Sequence, residues 1–447
     1  MTKDMTSGNP LRLIIGFAIP MFLGMLFQQF YSMVDTIIVG KFLGVAQLAG
    51  VGATGSLSFM VIGFCTGLCN GFAIPVAQKF GAKQDSELRR FVANCMWLCI
   101  GFSVVLTVTV AALCRSILTL LGTPEDIFEY AYLYMVIISL GIPCTILYNI
   151  LAAIIRSLGD SKTPVVFLAI SSAINIVLDI VFIVVFHQGV EGPALATVIS
   201  QGISGLICLW YMKKKFTILK GTREEWNVRP DYMAKLCYMG VPMGLQYSVT
   251  AIGSLIIQSA INSFGSVAVA GVTAGQKINM FITCPIESLG ATMAPYTGQN
   301  MGAGKTDRIT EGVKAASLCG FAASAVLLGV VLLFGRQLPL IFLDEANDEV
   351  VSYAYQFLLT SACAYCLLTL VNVVRFSIQG MGFSVFAVTS GVLEMIARST
   401  AGLLLVPLLG FTGICLGNVL AWVFADSFLI PAFIHCRNVV RARAARS

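Results

Sequence analysis

The chain has 447 residues, of which 57% are hydrophobic and only 11% are charged, and its mean hydropathy is +0.87. This composition excludes a soluble globular domain and indicates a membrane protein with many spans. The formal net charge of +6 comes from Lys and Arg residues that gather between apolar runs, so it reflects topology and implies no nucleic-acid partner.

Twelve apolar runs divide the sequence, and most are long enough to cross a bilayer core of about 30 Å. We therefore expect an all-α membrane protein with twelve transmembrane helices embedded in a lipid bilayer. The runs fall near residues 12–40, 50–78, 91–114, 127–155, 163–187, 192–212, 234–263, 267–298, 313–334, 350–379, 383–409 and 412–434.

Basic residues are distributed very unevenly between these runs. If the amino terminus is cytoplasmic, the outer side holds only Lys41, Arg115 and Arg336, and nearly all other basic residues, Arg375 among them, count towards the cytoplasmic side. The positive-inside rule thus predicts a multi-pass protein of the inner (cytoplasmic) membrane with both termini in the cytoplasm. The polar start of the chain lacks a small-residue cleavage site, so we expect no removable signal peptide.

The first span carries a proline and a polar stripe. Pro20 removes a backbone hydrogen-bond donor and predicts a bend, which is either a static kink or a moving hinge. Gln28, Tyr31 and Asp35 share one helix face because their spacing follows the helical repeat. A carboxylate inside a span costs about 2.5 to 3.5 kcal/mol on insertion scales, and such residues usually mark an ion or substrate path.

The fifth span holds a second acid. Asn175 and Asp179 lie one helical turn apart, so both side chains point the same way. Counting along the spans puts Asp35, Asp179 and Thr197 of the sixth span at one depth, and Asn149 of the fourth adds an amide oxygen. These hard oxygen ligands suit sodium, and the carboxylates alternatively suit exchanged protons. A structural hydrogen bond to a neighbouring helix is the simpler alternative for Asp179.

Residues 213–231 form the only long hydrophilic stretch and predict a cytoplasmic linker between two similar halves. The halves repeat at a shift of about 221 residues, with Pro20 matching Pro242 and Ala49-Gly50-Val51 matching Ala270-Gly271-Val272. Each copy has an even number of spans, so both enter the membrane in the same direction. We therefore expect two six-helix bundles, residues 1–212 and 232–447, related by a parallel internal repeat.

The acidic site has no counterpart in the second half, where the matching positions hold Ile256, Ile396 and Thr400. That half has charges of its own. Glu394 and Arg398 lie four residues apart, a spacing that fits either an internal ion pair or a substrate role. Glu287 is the better candidate for contact with a cationic substrate, and Asp426 receives no role. The expected substrate cavity comprises Glu287, Glu394 and Arg398, together with Tyr31 and Gln28.

Motifs of catalysis are missing, so we expect neither an enzyme nor a cofactor. Gly298 to Thr306 imitates a phosphate-binding loop, but Gln299 stands where the motif requires its first glycine. No zinc-protease helix and no Gly-x-Ser-x-Gly motif occur. The 14 cysteines are scattered within apolar runs, and we interpret them as buried small hydrophobic residues.

The chain closely resembles the multidrug and toxic compound extrusion (MATE) family, in its DinF-like branch, over essentially its full length. The resemblance implies two six-helix lobes, alternating access, and export of organic, often cationic compounds in exchange for sodium or protons. It also implies that the first lobe binds the coupling cation through Asp35, Asn175, Asp179 and Thr197, with Asn149 as a further ligand. The residues that carry the resemblance are Gln28-Gln29, Val34-Asp35, Val39-Gly40, Asn175, Asp179, Thr197 and Pro295 to Gly304.

The main hypothesis is thus a monomeric antiporter for small organic molecules with Na⁺ or H⁺ as the coupling ion. A lipid or glycan-precursor flippase of the same superfamily is the alternative, although such proteins usually have more spans or a basic central cavity. A channel would require a pore filter or rings of charge, and the sequence contains neither pattern.

Overall fold

The computed structural model describes residues 4–341 and 348–444, and within these ranges the chain is almost wholly α-helical, without β-strands. Asp344 and Glu345, acidic residues of a predicted outer loop, lie outside the described residues. The first half contains α1 (Pro10–Leu43), α2 (Val45–Ala53), α3 (Gly55–Gly81), α4 (Asp85–Leu120), α5 (Glu125–Leu140), α6 (Ile142–Ser157), α7 (Lys162–Ile180) and α8 (Glu191–Lys215). The second half contains α9 (Pro230–Asn262), α10 (Ser266–Gly302), α11 (Thr306–Phe334), α12 (Asp348–Cys363), α13 (Tyr365–Gly380), α14 (Val385–Thr400), α15 (Val406–Leu409) and α16 (Phe411–Ala444).

The helices account for the twelve expected spans. Among the described residues, 9 helices are long and apolar enough to cross a membrane alone. Two further spans are bent pairs, α5 with α6 at 49° and α12 with α13 at 54°. The remaining span is α10, a continuous helix of 37 residues whose sequence is more polar and includes Lys277 and Glu287. The prediction of twelve membrane helices is therefore confirmed.

Internal contacts divide the chain into two units. Leu23–Gly244 forms unit 1, together with Asp4, and the described residues of Met5–Phe22 and Leu245–Ser447 form unit 2. α1 passes from unit 2 to unit 1 just after Pro20, and α9 passes from unit 1 to unit 2 just after Pro242. The units therefore exchange the first parts of these two helices, whereas the sequence repeat alone predicts lobes that begin with them.

Unit 1 has a continuous apolar core to which α3, α4, α6 and α8 contribute. Its free cysteines Cys65, Cys69, Cys95 and Cys99 are buried in that core, as small hydrophobic residues would be. The interpretation of the cysteines as buried is wrong for Cys363 and Cys366 of unit 2, which are exposed beside the bend between α12 and α13. Elsewhere in unit 1, a Cβ atom on Gly71 of α3 would lie only 2.5 Å from the Cα atom of Gly240 in α9. The two backbones touch there, and the absent side chain is what permits the approach.

The linker region is docked onto α4. Glu225 is buried and accepts hydrogen bonds from Arg89, at 2.7 Å from Nε and 2.9 Å from Nη2. Ser86 Oγ donates a third bond at 2.8 Å, and the backbone N–H of Thr222 donates a fourth at 3.0 Å. The Arg89 guanidinium is the main reason that the pKa of Glu225 falls to about 2.

We expect Glu225→Gln to loosen the linker. The amide keeps the shape of the side chain but loses the charge, and hydrogen bonds to a charged group are worth about 1.5–3 kcal/mol. Acidification should loosen the wild-type linker too, because a depressed folded-state pKa gives stabilisation that is present at neutral pH. That stabilisation is lost as the pH falls from the ordinary glutamate value of about 4.3 towards about 2.

Amide hydrogen exchange of the linker, compared at matched pH with the exposed neighbour variant Glu224→Gln, measures both effects. Equal exchange in the two variants would show that the ion pair does not hold the linker in place.

The segment that precedes α1 is docked where α10 ends and α11 begins. Met5 is fully buried, its N–H donates to Gln299 Oε1 at 2.9 Å, and its carbonyl accepts from Asn300 Nδ2 at 3.2 Å. Lys305 Nζ donates to the carbonyl oxygen of Thr6 at 2.8 Å. The stretch that imitates a phosphate-binding loop is therefore a helix end that holds the chain's own amino-terminal segment.

Candidate functional site

The predicted site residues of the first half come from three helices of unit 1. α1 carries Tyr31 and Asp35, α7 carries Asn175 and Asp179, and α8 carries Thr197. Tyr31 Oη lies 3.4 Å from Thr197 Oγ1, and Asn175 Nδ2 donates to the same hydroxyl at 3.3 Å. Because α7 and α8 pack closely along their length, Thr197 connects the polar faces of α1 and α7.

The two acids of this site meet. The carboxyl groups of Asp35 and Asp179 are close enough to share a hydrogen bond when one of them carries a proton. Asp179 is 0% exposed and Asn175 is 1% exposed. Within residues 4–341 and 348–444, no donor reaches Asp35 Oδ1, Asn175 Oδ1 or either carboxylate oxygen of Asp179. A cluster of buried oxygens without donors fits a small cation or a shared proton.

Tyr134 of α5 belongs to the same cluster and was not predicted. It lies within electrostatic range of Asp35, Asp179 and Tyr31. Tyr134 is one of three tyrosines in the apolar run Tyr130 to Leu140, and it has no acid or amide at helical spacing, so sequence patterns offer little to single it out. Its hydroxyl adds a further polar group beside the two acids.

The helix that carries Asp179 changes its winding directly after that residue. α7 ends at Ile180, and a π-helical segment follows over Val181–Val185. The second half has a π-helical segment at the matching place, Ala401–Leu405 after α14. Such segments are rare and are often found at functional sites. The residues Val-Phe-Ile-Val-Val contain neither glycine nor proline and do not predict it.

Other predicted residues lie apart from this cluster. Asn149 Nδ2 donates to the carbonyl oxygen of Thr145 in its own helix at 2.8 Å. No hydrogen bond between Asn149 and the cluster occurs in the described part of the chain, so its role as a ligand stays a prediction. Gln28 is exposed, and Pro20 lies inside α1, which continues through it as a helix.

Glu394 and Arg398 are buried in unit 2, with 4% and 8% of their surfaces exposed. Arg398 Nη2 lies 3.6 Å from Glu394 Oε2, and the Arg375 guanidinium bonds to Glu394 Oε1. The charge count had assigned Arg375 to the cytoplasmic side, whereas the residue is 7% exposed inside α13. Burial in an ion pair does not decide on which side of the membrane Arg375 lies, so that assignment stays a prediction. This pairing favours the ion-pair interpretation of Glu394 and Arg398 over substrate contact.

Glu287 differs from Glu394 and Asp426, the other acids inside spans of the second half, because it is exposed whereas they are buried. Its Oε1 accepts a hydrogen bond at 3.1 Å from Thr283 Oγ1, one turn earlier on α10. No ion pair to Glu287 occurs among the described residues. The carboxylate is therefore available to a charged ligand.

Comparisons with known proteins agree with these observations. The family model described as MatE matches residues 20–181 and again residues 242–399. The two matches fall on corresponding parts of the two halves, which confirms the internal repeat.

Relatives extend over almost the whole chain. The "Probable multidrug resistance protein YpnP" of Bacillus subtilis (strain 168) is 28% identical over 439 residues, covering 97% of this chain and 96% of the relative. The "DNA damage-inducible protein F" of Escherichia coli (strain K12) is 25% identical over 428 residues, covering 92% and 88%. A solved structure, described as "Crystal structure of MATE in complex with MaL6", shares the fold, with a TM-score of 0.90, 22% identity and 100% coverage of both chains.

Proposed function

The chain belongs to the MatE family of multidrug efflux transporters, and on that premise we propose that it exports small organic compounds, often cationic, in exchange for sodium ions or protons. The observation that carries the proposal is the pair formed by half-buried Asp35 and fully buried Asp179: Asp35 Oδ1 and both carboxylate oxygens of Asp179 meet no donor among the described residues. Two adjacent acids inside membrane spans cost free energy, and such residues usually mark an ion or substrate path.

The cluster has the chemistry that a coupling site needs. A bound sodium ion or proton supplies the positive charge that offsets the repulsion between the two carboxylates. Asn175 Oδ1 and Thr197 Oγ1 add neutral oxygens of the kind that alkali cations accept. Tyr31 contacts the Thr197 hydroxyl and so helps to fix its orientation.

Coupling follows from the position of the two acids on different helices. When the site is empty, the repulsion between Asp35 of α1 and Asp179 of α7 disfavours the packing seen here. When it is occupied, the same packing is favoured, so the ion shifts the conformational equilibrium by its differential affinity. The bend expected at Pro20 makes α1 the element that responds, and substrate and ion then exchange by alternating access.

Transport into inverted membrane vesicles tests this function. We expect a sodium jump or a pH jump, applied separately with a fluorescent organic cation, to drive accumulation of that cation against its own gradient. The ion whose jump is effective is the coupling ion. Equilibration without accumulation under both gradients would instead indicate a channel, and transport of a labelled lipid alone would indicate a flippase.

We further propose that the protein acts as a monomer in the inner membrane, with both termini and the linker in the cytoplasm. The uneven distribution of Lys and Arg supports this topology. The side of the linker can be measured by labelling Lys220→Cys, in a cysteine-free background, with a reagent that does not cross the membrane. Labelling of intact cells from outside would contradict the proposed topology.

Glu287 is proposed to contact cationic substrates, because it is an exposed acid inside a span and has no ion-pair partner among the described residues. We expect Glu287→Gln to weaken export of a cationic compound by roughly fivefold and to leave a neutral compound nearly unchanged. That factor corresponds to about 1 kcal/mol, the attraction of two unit charges at 4 Å in a water-like medium. Initial export rates of the two compounds measure it, and an equal loss for both would indicate a structural or coupling role.

A further inference from the structure

Unit 2 buries a second set of charges, separate from the acidic pair of unit 1. Arg375 comes from α13, Glu394 and Arg398 come from α14, and Asp426 comes from α16. α16 packs against both α13 and α14, so the four side chains converge in one part of the helical core. Each of the four is at most 8% exposed.

The pairing inside this set is uneven. Both oxygens of Glu394 are used, one by Arg375 and the other by Arg398 at 3.6 Å. Arg375 Nε also donates to Ser390 Oγ at 3.1 Å. Asp426 is 4% exposed, yet both of its carboxylate oxygens lack a hydrogen-bond partner among the described residues, as does Arg398 Nη1.

The charged groups that act on Asp426 are two members of the same set. Arg375 attracts its carboxylate, and Glu394 repels it. The other helices packed against α16 contribute charged residues only near their starts, and the next titratable groups of α16 itself lie more than two turns further on. These residues are Asp307, Arg308, Glu311 and Lys314 of α11, Asp348 and Glu349 of α12, and His435 and Arg437 of α16.

An ionised Asp426 without a partner would carry the full cost of a buried charge, which proteins normally avoid by neutralising the group or by pairing it. Both routes are open here. A proton on a carboxylate oxygen neutralises Asp426 while Arg375 stays with Glu394, which is the arrangement observed. Without that proton, Arg375 has two competing carboxylates and can balance either.

We propose that Asp426 is a second proton-binding site of this protein, and that loss of its proton moves Arg375 from Glu394 towards Asp426. The proton leaves from a carboxylate oxygen of Asp426 to water, and Arg375 remains charged throughout. Arg398 keeps Glu394 paired when Arg375 moves, which explains why one acid is placed between two arginines. The site lies in α13, α14 and α16, and it operates whichever ion the pair in unit 1 binds.

Infrared difference spectroscopy of the full-length protein tests the protonation directly. The background is the Asp35→Asn, Asp179→Asn variant, so that the acidic pair of unit 1 gives no signal. We expect the carbonyl band of a protonated carboxylic acid at neutral pH, its loss on raising the pH, and its absence in the same background with Asp426→Asn. This replacement has nearly the shape of the protonated acid and should fold normally.

Absence of an Asp426-dependent band at neutral pH would overturn the proposal, and so would a band that persists at every pH. Failure of ion-driven transport would leave this result untouched, because the measurement uses no substrate and no gradient. Adding Glu394→Gln tests the movement of Arg375. The freed guanidinium should pair with Asp426 and remove the band at neutral pH, whereas a retained band would refute the exchange of partners.

Discussion

Gradient-driven export should disappear in the Asp35→Asn, Asp179→Asn double variant. The asparagines keep the size of both side chains but carry no charge, so neither a cation nor a proton changes the electrostatics of the pair. Since a ligand shifts a conformational equilibrium only by its differential affinity, the variant has nothing through which a gradient can act. Each single replacement should have the same effect, because one carboxylate offers only half of the site.

Initial rates of export in inverted vesicles measure this loss. The expression level and substrate binding of the variant are measured alongside, and both should remain. Asp126→Asn, a replacement of an exposed acid at the start of α5, is the matched control and should export at the wild-type rate. Asn175→Ala should only weaken the apparent ion affinity, by about tenfold or less, because a neutral ligand contributes about 0.5–1.5 kcal/mol. Export at the wild-type rate by the double variant would show that the coupling site lies in another part of the chain.

The second large effect concerns stability. We expect Arg375→Gln to destabilise unit 2 by about 3–5 kcal/mol, because it leaves a buried carboxylate with only the weaker contact to Arg398. Glu394→Gln should cost less, since the freed Arg375 can turn to Asp426. The double variant Arg375→Gln, Glu394→Gln should recover most of the loss because it removes both charges of the pair together.

Thermal unfolding in detergent measures the series. Arg115→Gln is the control, because it breaks an ion pair with Glu129, at 2.7 Å, that is solvent-exposed. Exposed pairs contribute about 0–1 kcal/mol, so its melting temperature should barely change. A double variant no more stable than Arg375→Gln would mean that Arg375 supports unit 2 through packing.

The acidic site of unit 1 was largely predictable because its residues follow helical spacing. Asp35 with Tyr31, and Asp179 with Asn175, stand out as polar residues one turn apart in otherwise apolar runs, and the structure brings these four together. Tyr134 was missed because it has no acid or amide at such spacing and is one of three tyrosines in the same run.

Two other features depend on contacts that spacing cannot reveal. The pairing of Arg375 with Glu394 joins separate helices, and its energy comes from burial, which a charge count does not see. The first parts of α1 and α9 belong to the opposite units because their contact partners lie far away in the chain. The sequence repeat cannot reveal those contacts, because it groups each segment with the residues that follow it.

The docked amino-terminal segment constrains the order in which parts of the protein can fold during synthesis. Met5 and its partner Gln299 are separated by 294 residues. At a synthesis rate of roughly 5 to 20 residues per second, the ribosome needs roughly 15 to 60 seconds to make that length. During that interval the residues that Met5 binds do not yet exist, whereas most of the chain that forms unit 1 is synthesised. Docking of the segment that precedes the first helix is therefore a late step of biogenesis, although its residues are among the earliest to be translated.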